Sequence, residues 1–181
     1  MLFRSRLSHP YIAAARALRP QLKSEPARIE VAVNPSAAKL CHPLAQRRRP
    51  QTLQDAKYSV PYMTAFALIH EQLDLSTIND GMLADTRVQA LADRIEIQET
   101  LPDTPGHPPA EIVVHCADGS RLEMRDKWRS AIGDQQVREK FLACLAASGV
   151  KQGATVWERI VQPESSLDVG GLFARLEARQ G

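Results

Sequence analysis

The stretch EIVVHCADGSRLEMR, residues 111–125, does more than any other to limit what this chain can fold into. Ile112, Val114 and Cys116 alternate with Val113 and His115; Asp118-Gly119 follows, and Leu122 and Met124 resume the alternation. A period of two sends successive side chains to opposite faces of a strand, and Asp-Gly supplies a tight turn. The stretch therefore predicts a β-hairpin. Two more strands are expected. RIEVAV (28–33) places Ile29, Val31 and Val33 on one face and ends at Asn34-Pro35, and RIEIQ (94–98) is the other.

Helical spacing fills most of the rest. Tyr11, Ala15, Leu18 and Leu22 predict a first helix with Ser8 as N-cap and Pro10 in its first turn, interrupted at Pro20. DAKYSVPYMTAFALIHE (55–71) reads as an apolar helix with Tyr62, Phe66, Ile69 and Leu73 at helical spacing. Its proline must lie in the first turn, because an interior proline costs about 3 kcal/mol, and that makes Ser59 the N-cap. Asp85 caps a short helix carrying Val88, Leu91 and Ala92. Asp134 is expected to cap a helix bearing Val137, Phe141, Cys144 and Leu145 that closes near Gly149. Val156, Trp157, Ile160 and Val161 suggest a shorter helix, and Asp168 starts a last one with Leu172, Phe173 and Leu176. Residues 36–52, with Arg47-Arg48-Arg49 before Pro50, read as a loop.

The sum is an α+β fold, with about four mostly antiparallel strands in one sheet covered by helices. We expect residues 1–150 to form that domain and residues 151–181 a C-terminal helical segment. At 181 residues the chain can build a real core, and with 5% aromatics that core must be mostly Ala, Val, Leu and Ile. A net charge of +2 is too small to argue for nucleic acid, which is not an expected partner. No apolar run reaches the ~20 residues a membrane span needs. Nor does MLFRSRLSHPYI contain a secretory h-region. Cys41, Cys116 and Cys144 are far apart and odd in number, which speaks against a disulfide framework or a zinc site and for the cytoplasm.

Single residues give few chemical leads. His9 sits in a helix first turn, where N–H groups face bound anions. His70 lies near a helix end, where the dipole favours a cation. His115 reads as a half-buried strand residue and His107 as a solvated one in a proline loop. Cys41-His42 is adjacent in sequence, which does not place sulfur against imidazole. The arginine triplet can hold a polycarboxylate or a phosphate, although a solvated loop is its default reading.

Order and wording carry more. SHPYIAAARAL, RIEVAV, an arginine-rich loop with P-Q-T, DAKYSVPYMTAFAL, LADTRVQALADRIEI, PAEIVVHCADGSRLE and QQVREKFLACLA follow one another. This series resembles the C-terminal domain of the MmgE/PrpD family, which includes 2-methylcitrate dehydratase, cis-aconitate decarboxylase and iminodisuccinate epimerase. The resemblance covers roughly residues 8–146. One departure is an alanine where the family's first helix has an aspartate.

The resemblance implies proton abstraction next to a carboxylate of a small polycarboxylate, followed by loss of water, loss of carbon dioxide or reprotonation. It implies no metal and no organic cofactor, and it makes a homodimer the expected assembly. It also places most catalytic residues on a large helical domain of the same family that this sequence does not contain. The family's lysine before the H-P helix has no match in MLFRSRL. We therefore expect a piece of a longer protein, a detached lid that does no catalysis by itself, and we assign no catalytic residue. His9, Ser59 and Tyr62 are the candidate substrate-binding residues, with DAKYSVPY read as mainly structural. The competing reading is a standalone module that binds an anion or nucleic acid, or a non-catalytic interaction domain.

Overall fold

Residues 7–73, 77–103, 109–126 and 133–161 are described by a computed structural model. Within them four strands form one sheet: β1 (Pro26–Ala32), β2 (Ile95–Gln98), β3 (Ala110–Cys116) and β4 (Arg121–Asp126). Their order is β2-β1-β3-β4. β1 runs parallel to β2 and antiparallel to β3, and β3 pairs antiparallel with β4. The fold is α+β with a mixed, mostly antiparallel sheet. A parallel pair needs a crossover. The chain supplies one in α2 (Pro35–Ala38), α3 (Leu44–Arg48), α4 (Leu53–Lys57), α5 (Val60–Ile69) and α6 (Thr86–Asp93).

Strand alternation divides the sheet into unlike faces. Ile29 lies opposite both Ile95 and Val114, and Val31 opposite Ile112; all five are fully buried. On that face α1 (His9–Leu18) covers β3 and β4, and α5 packs against α1, α6 and β2. The opposite face is a lattice of charges. Arg28 pairs with Glu30 and with Glu96 (3.1 Å), His115 Nε2 lies 3.1 Å from Glu30, and Arg121 bridges Glu123 at 2.7 Å. The exposed pairs among these, Arg28–Glu96 and Arg121–Glu123, contribute about 1 kcal/mol or less each. Along the open edge of β4 the exposed Arg121, Glu123 and Arg125 discourage pairing with another strand.

Two local expectations hold in detail. In the hairpin turn Gly119 has φ +83°, and Asp118 Oδ1 accepts from the Ser120 N–H at 2.9 Å. Ser59 caps α5, its hydroxyl accepting from the Tyr62 N–H at 3.1 Å, with Pro61 in the first turn. The capped helix is shorter than the 55–71 stretch suggested. Pro61 would clash with the carbonyl four residues back, so the chain breaks before Ser59, and residues 53–57 form α4 under a Thr52 cap. Leu73 lies beyond the end of α5 but is still buried. Residues Val60 to Leu68 are all buried, so α5 has no polar stripe and runs through the middle of the core.

Other expectations need correction. Ser8 is buried at the start of α1, but its side chain makes no capping bond; its carbonyl accepts from Ile12 N–H at 3.1 Å. Residues 36–52 are not one loop. Asn34 caps α2 by accepting from Ala37 N–H at 2.9 Å, Ala37, Ala38 and Cys41 enter the core, and α3 follows. Helices of four or five residues are too short to show a periodic pattern. Gly133, not Asp134, is the N-cap of α7 (Asp134–Ala147).

By proximity of its residues the chain divides into two compact units, Met1–Trp128 and Arg129–Gly181. In the second, α7 turns at Gly149 (φ +78°) into α8 (Gly153–Val161), and the rings of Phe141 and Trp157 meet at 5.5 Å. The helix expected from Asp168, the position of His107 and the residues before Leu7 lie outside the described residues. No helix among the described residues is long and apolar enough to cross a membrane.

Candidate functional site

The junction of α3, α4 and α5 gathers the largest share of the residues singled out in the sequence. Ser59 Oγ, besides capping α5, donates to the Arg47 carbonyl at 2.5 Å, which ties the last turn of α3 to the first of α5. Each guanidinium of the arginine triplet reaches back onto the domain. Arg48 donates to the Ile95 carbonyl at the start of β2. Arg49 pairs with Asp93 of α6 and donates to Gln89 Oε1 at 3.4 Å. Arg47 donates through Nε to the His42 carbonyl at 3.3 Å. Arg47 and Arg48 are half-buried, so the triplet is not a freely solvated run.

An open pocket of about 510 Å³ lies beside it, lined by Gln46, Arg47, Arg49, Pro50, Gln51 and Asp55. Asp55 is partly engaged, its Oδ2 accepting from the Thr52 hydroxyl at 2.7 Å. Gln51 Nε2 donates to the Arg49 carbonyl at 3.0 Å. Neither glutamine rose above the background of the sequence; the signal that points to them is their position flanking an arginine run.

Tyr62 faces away from solvent. Its ring is fully buried and its hydroxyl donates to the Met82 carbonyl at 2.5 Å. Burial, and then the charge of Asp85, push its hydroxyl up to about 12. Ser59 and Tyr62 are thus brought together on one turn, both bonded to backbone. His9 stands apart on the first turn of α1, half-buried.

A second cluster joins helix ends that are distant in sequence. His70 is the C-cap of α5; its ring stacks on Phe66 at 4.3 Å and its Nε2 lies 2.8 Å from Asp85 Oδ2. Asp85 caps α6 by accepting from the Arg87 and Val88 N–H groups, and the Arg87 guanidinium grips it at 2.9 Å. That guanidinium holds the Asp85 carboxyl well below the usual carboxylate range; burial opposes this, and His70 and the capped N–H groups reinforce it.

Cys41 is buried and its thiol is pushed up to about 12, by burial first and then by Glu99, with Arg47 opposing. The neighbouring His42 instead sets Nε2 2.8 Å from Glu99. A thiol so raised, a tyrosine at about 12 and a carboxyl held low give no proton exchanger tuned to neutral pH among these three. Among the described residues no cluster of three or more His, Cys, Asp or Glu side chains is placed to hold a metal ion.

The geometry is therefore that of a well-anchored scaffold with an arginine-lined pocket at the α3–α4 junction. No curated protein matches the chain. Among protein families, the MmgE/PrpD C-terminal domain matches it over residues 5–163, a span that takes in the sheet, the arginine junction and both helices of the second unit. With that match extending over most of its length, the chain belongs to the MmgE/PrpD family, as a C-terminal domain.

Proposed function

We propose that this chain is the α+β half of an MmgE/PrpD-type lyase or isomerase acting on a small polycarboxylate. Proton abstraction next to a carboxylate is then followed by dehydration, decarboxylation or epimerisation. The observation that carries the reading is the family match over residues 5–163, together with the mixed four-stranded sheet. The helical domain of the same family completes the site and brings the proton-transfer groups. This division of labour is consistent with Tyr62, Asp85 and Cys41, whose shifted protonation equilibria suit anchoring rather than exchange at neutral pH. In this reading Ser59 holds the α3–α5 junction, Tyr62 ties α5 to the Met82 carbonyl, and His9, on the first turn of α1, is the residue that meets the substrate. A homodimer and a reducing compartment belong to the same proposal.

The test is to combine the chain with an MmgE/PrpD helical domain in deuterated water and follow a panel of small di- and tricarboxylates by proton NMR. Deuterium entering next to a carboxylate, or loss of water or carbon dioxide, is expected only when both parts are present. A stable complex that exchanges no substrate proton anywhere in the panel would sink the proposal.

A further inference from the structure

We propose that the pocket between α3 and α4 binds a small di- or tricarboxylate, with the Arg47 guanidinium as its charged anchor. Most charges of the junction are already matched or bonded. Arg49 is neutralised by Asp93. Arg47 donates to a carbonyl oxygen and, among the described residues, forms no ion pair with a carboxylate. Arg48 likewise donates to a carbonyl. The junction thus holds on a pocket wall a half-buried cation that is ion-paired to no carboxylate among the described residues, the Asp55 carboxylate on the same wall being bonded to the Thr52 hydroxyl instead. A cation taken partly out of water gains from an anion brought into contact with it.

The side chain is also pre-set. Its Nε bond to His42 fixes the plane of the guanidinium, and a planar fork matches a carboxylate edge with two parallel hydrogen bonds. Gln46 and Gln51 on the same walls bring amide groups suited to a second carboxylate or a hydroxyl. At about 510 Å³ the volume falls within the range of roughly 300–1,000 Å³ common for small-ligand sites. Asp55 opposes the anion and limits the affinity. The choice of a carboxylate over other anions rests on the function proposed above; the charge argument does not.

The experiment is a titration of the full chain with tricarballylate, followed by ¹H–¹⁵N NMR against sodium chloride and sodium sulfate at matched ionic strength. Saturable shifts are expected at Arg47 Nε–H and at the Gln46 and Gln51 amides. Arg47→Gln weakens binding by roughly tenfold or more, and Arg121→Gln on the far face leaves it unchanged. Asp55→Asn, which removes the opposing charge, tightens binding and tests the site even if Arg47→Gln does not fold. The proposal is overturned by an equal response to sulfate, by shifts that do not saturate, or by an Asp55→Asn chain that binds no more tightly. Such failure beside a positive deuterium-exchange assay would move the substrate to another surface and leave the enzyme reading intact.

Discussion

Asp85 shows how much one side chain carries. It caps α6, accepts from Arg87 and meets His70 at the end of α5. Asp85→Asn is expected to cost about 1–3 kcal/mol at neutral pH, read from urea unfolding. The sign of the pH dependence follows from the lowered carboxyl. An unfolded chain takes up the proton near ~3.9, before the folded one does. The contribution is therefore whole above about pH 4 and is lost as pH falls further towards the depressed folded value. The wild-type midpoint should fall on acidification more steeply than that of Asp85→Asn; parallel curves would refute the linkage. The cap was legible, because Ala-Asp-Thr stands directly before a periodic run. The partnership with His70 was not, since 15 residues separate the two and only the folded path between α5 and α6 joins them. Tyr62→Phe tests a similar long reach: the buried Met82 carbonyl loses its donor, at a cost of about 1–2 kcal/mol. A loss within the error of the urea midpoint would mean that water takes over the bond.

At the scale of elements, the hairpin and α5 were readable because each carries its own punctuation. Gly119 at φ +83° has nothing within 4 Å of the place a Cβ would occupy, so Gly119→Ala meets only backbone strain. It should cost about 1 kcal/mol in thermal unfolding, while Gly133→Ala, at an ordinary φ, costs less. Ser59→Ala removes the cap of α5 and the link to the Arg47 carbonyl together, for about 1–2 kcal/mol. An unchanged midpoint would count against Ser59 as the anchor of that junction. What stayed hidden were α2, α3 and the direction of β2. Four residues such as IEIQ read alike whichever way they run, and it is the crossover through α2–α6 that makes the β1 pairing parallel. The pocket was hidden for a related reason: Arg47 and Asp55 come from separate short helices and Gln51 from the link between them, and none has a spacing that announces the others.

At the scale of the molecule, the two units differ in how they are built. The first holds an almost continuous buried core, whereas among the described residues of the second only Gly153 is buried. Amide hydrogen exchange should therefore be slowest in β1 and β3 and clearly faster throughout α7 and α8. Equal protection in the two units would show that α7 and α8 are covered in solution. The sheet's order has a temporal consequence as well. β1 is central, yet its partners are made late: Arg28 waits 68 residues for Glu96, and Glu30 waits 85 for His115. At roughly 5–20 residues per second, the middle strand leaves the ribosome several seconds before either neighbour exists. Until then both edges of an Ile- and Val-rich segment stand open, so the nascent chain is most exposed to chaperones, and to mispairing, at the strand that ends up best protected.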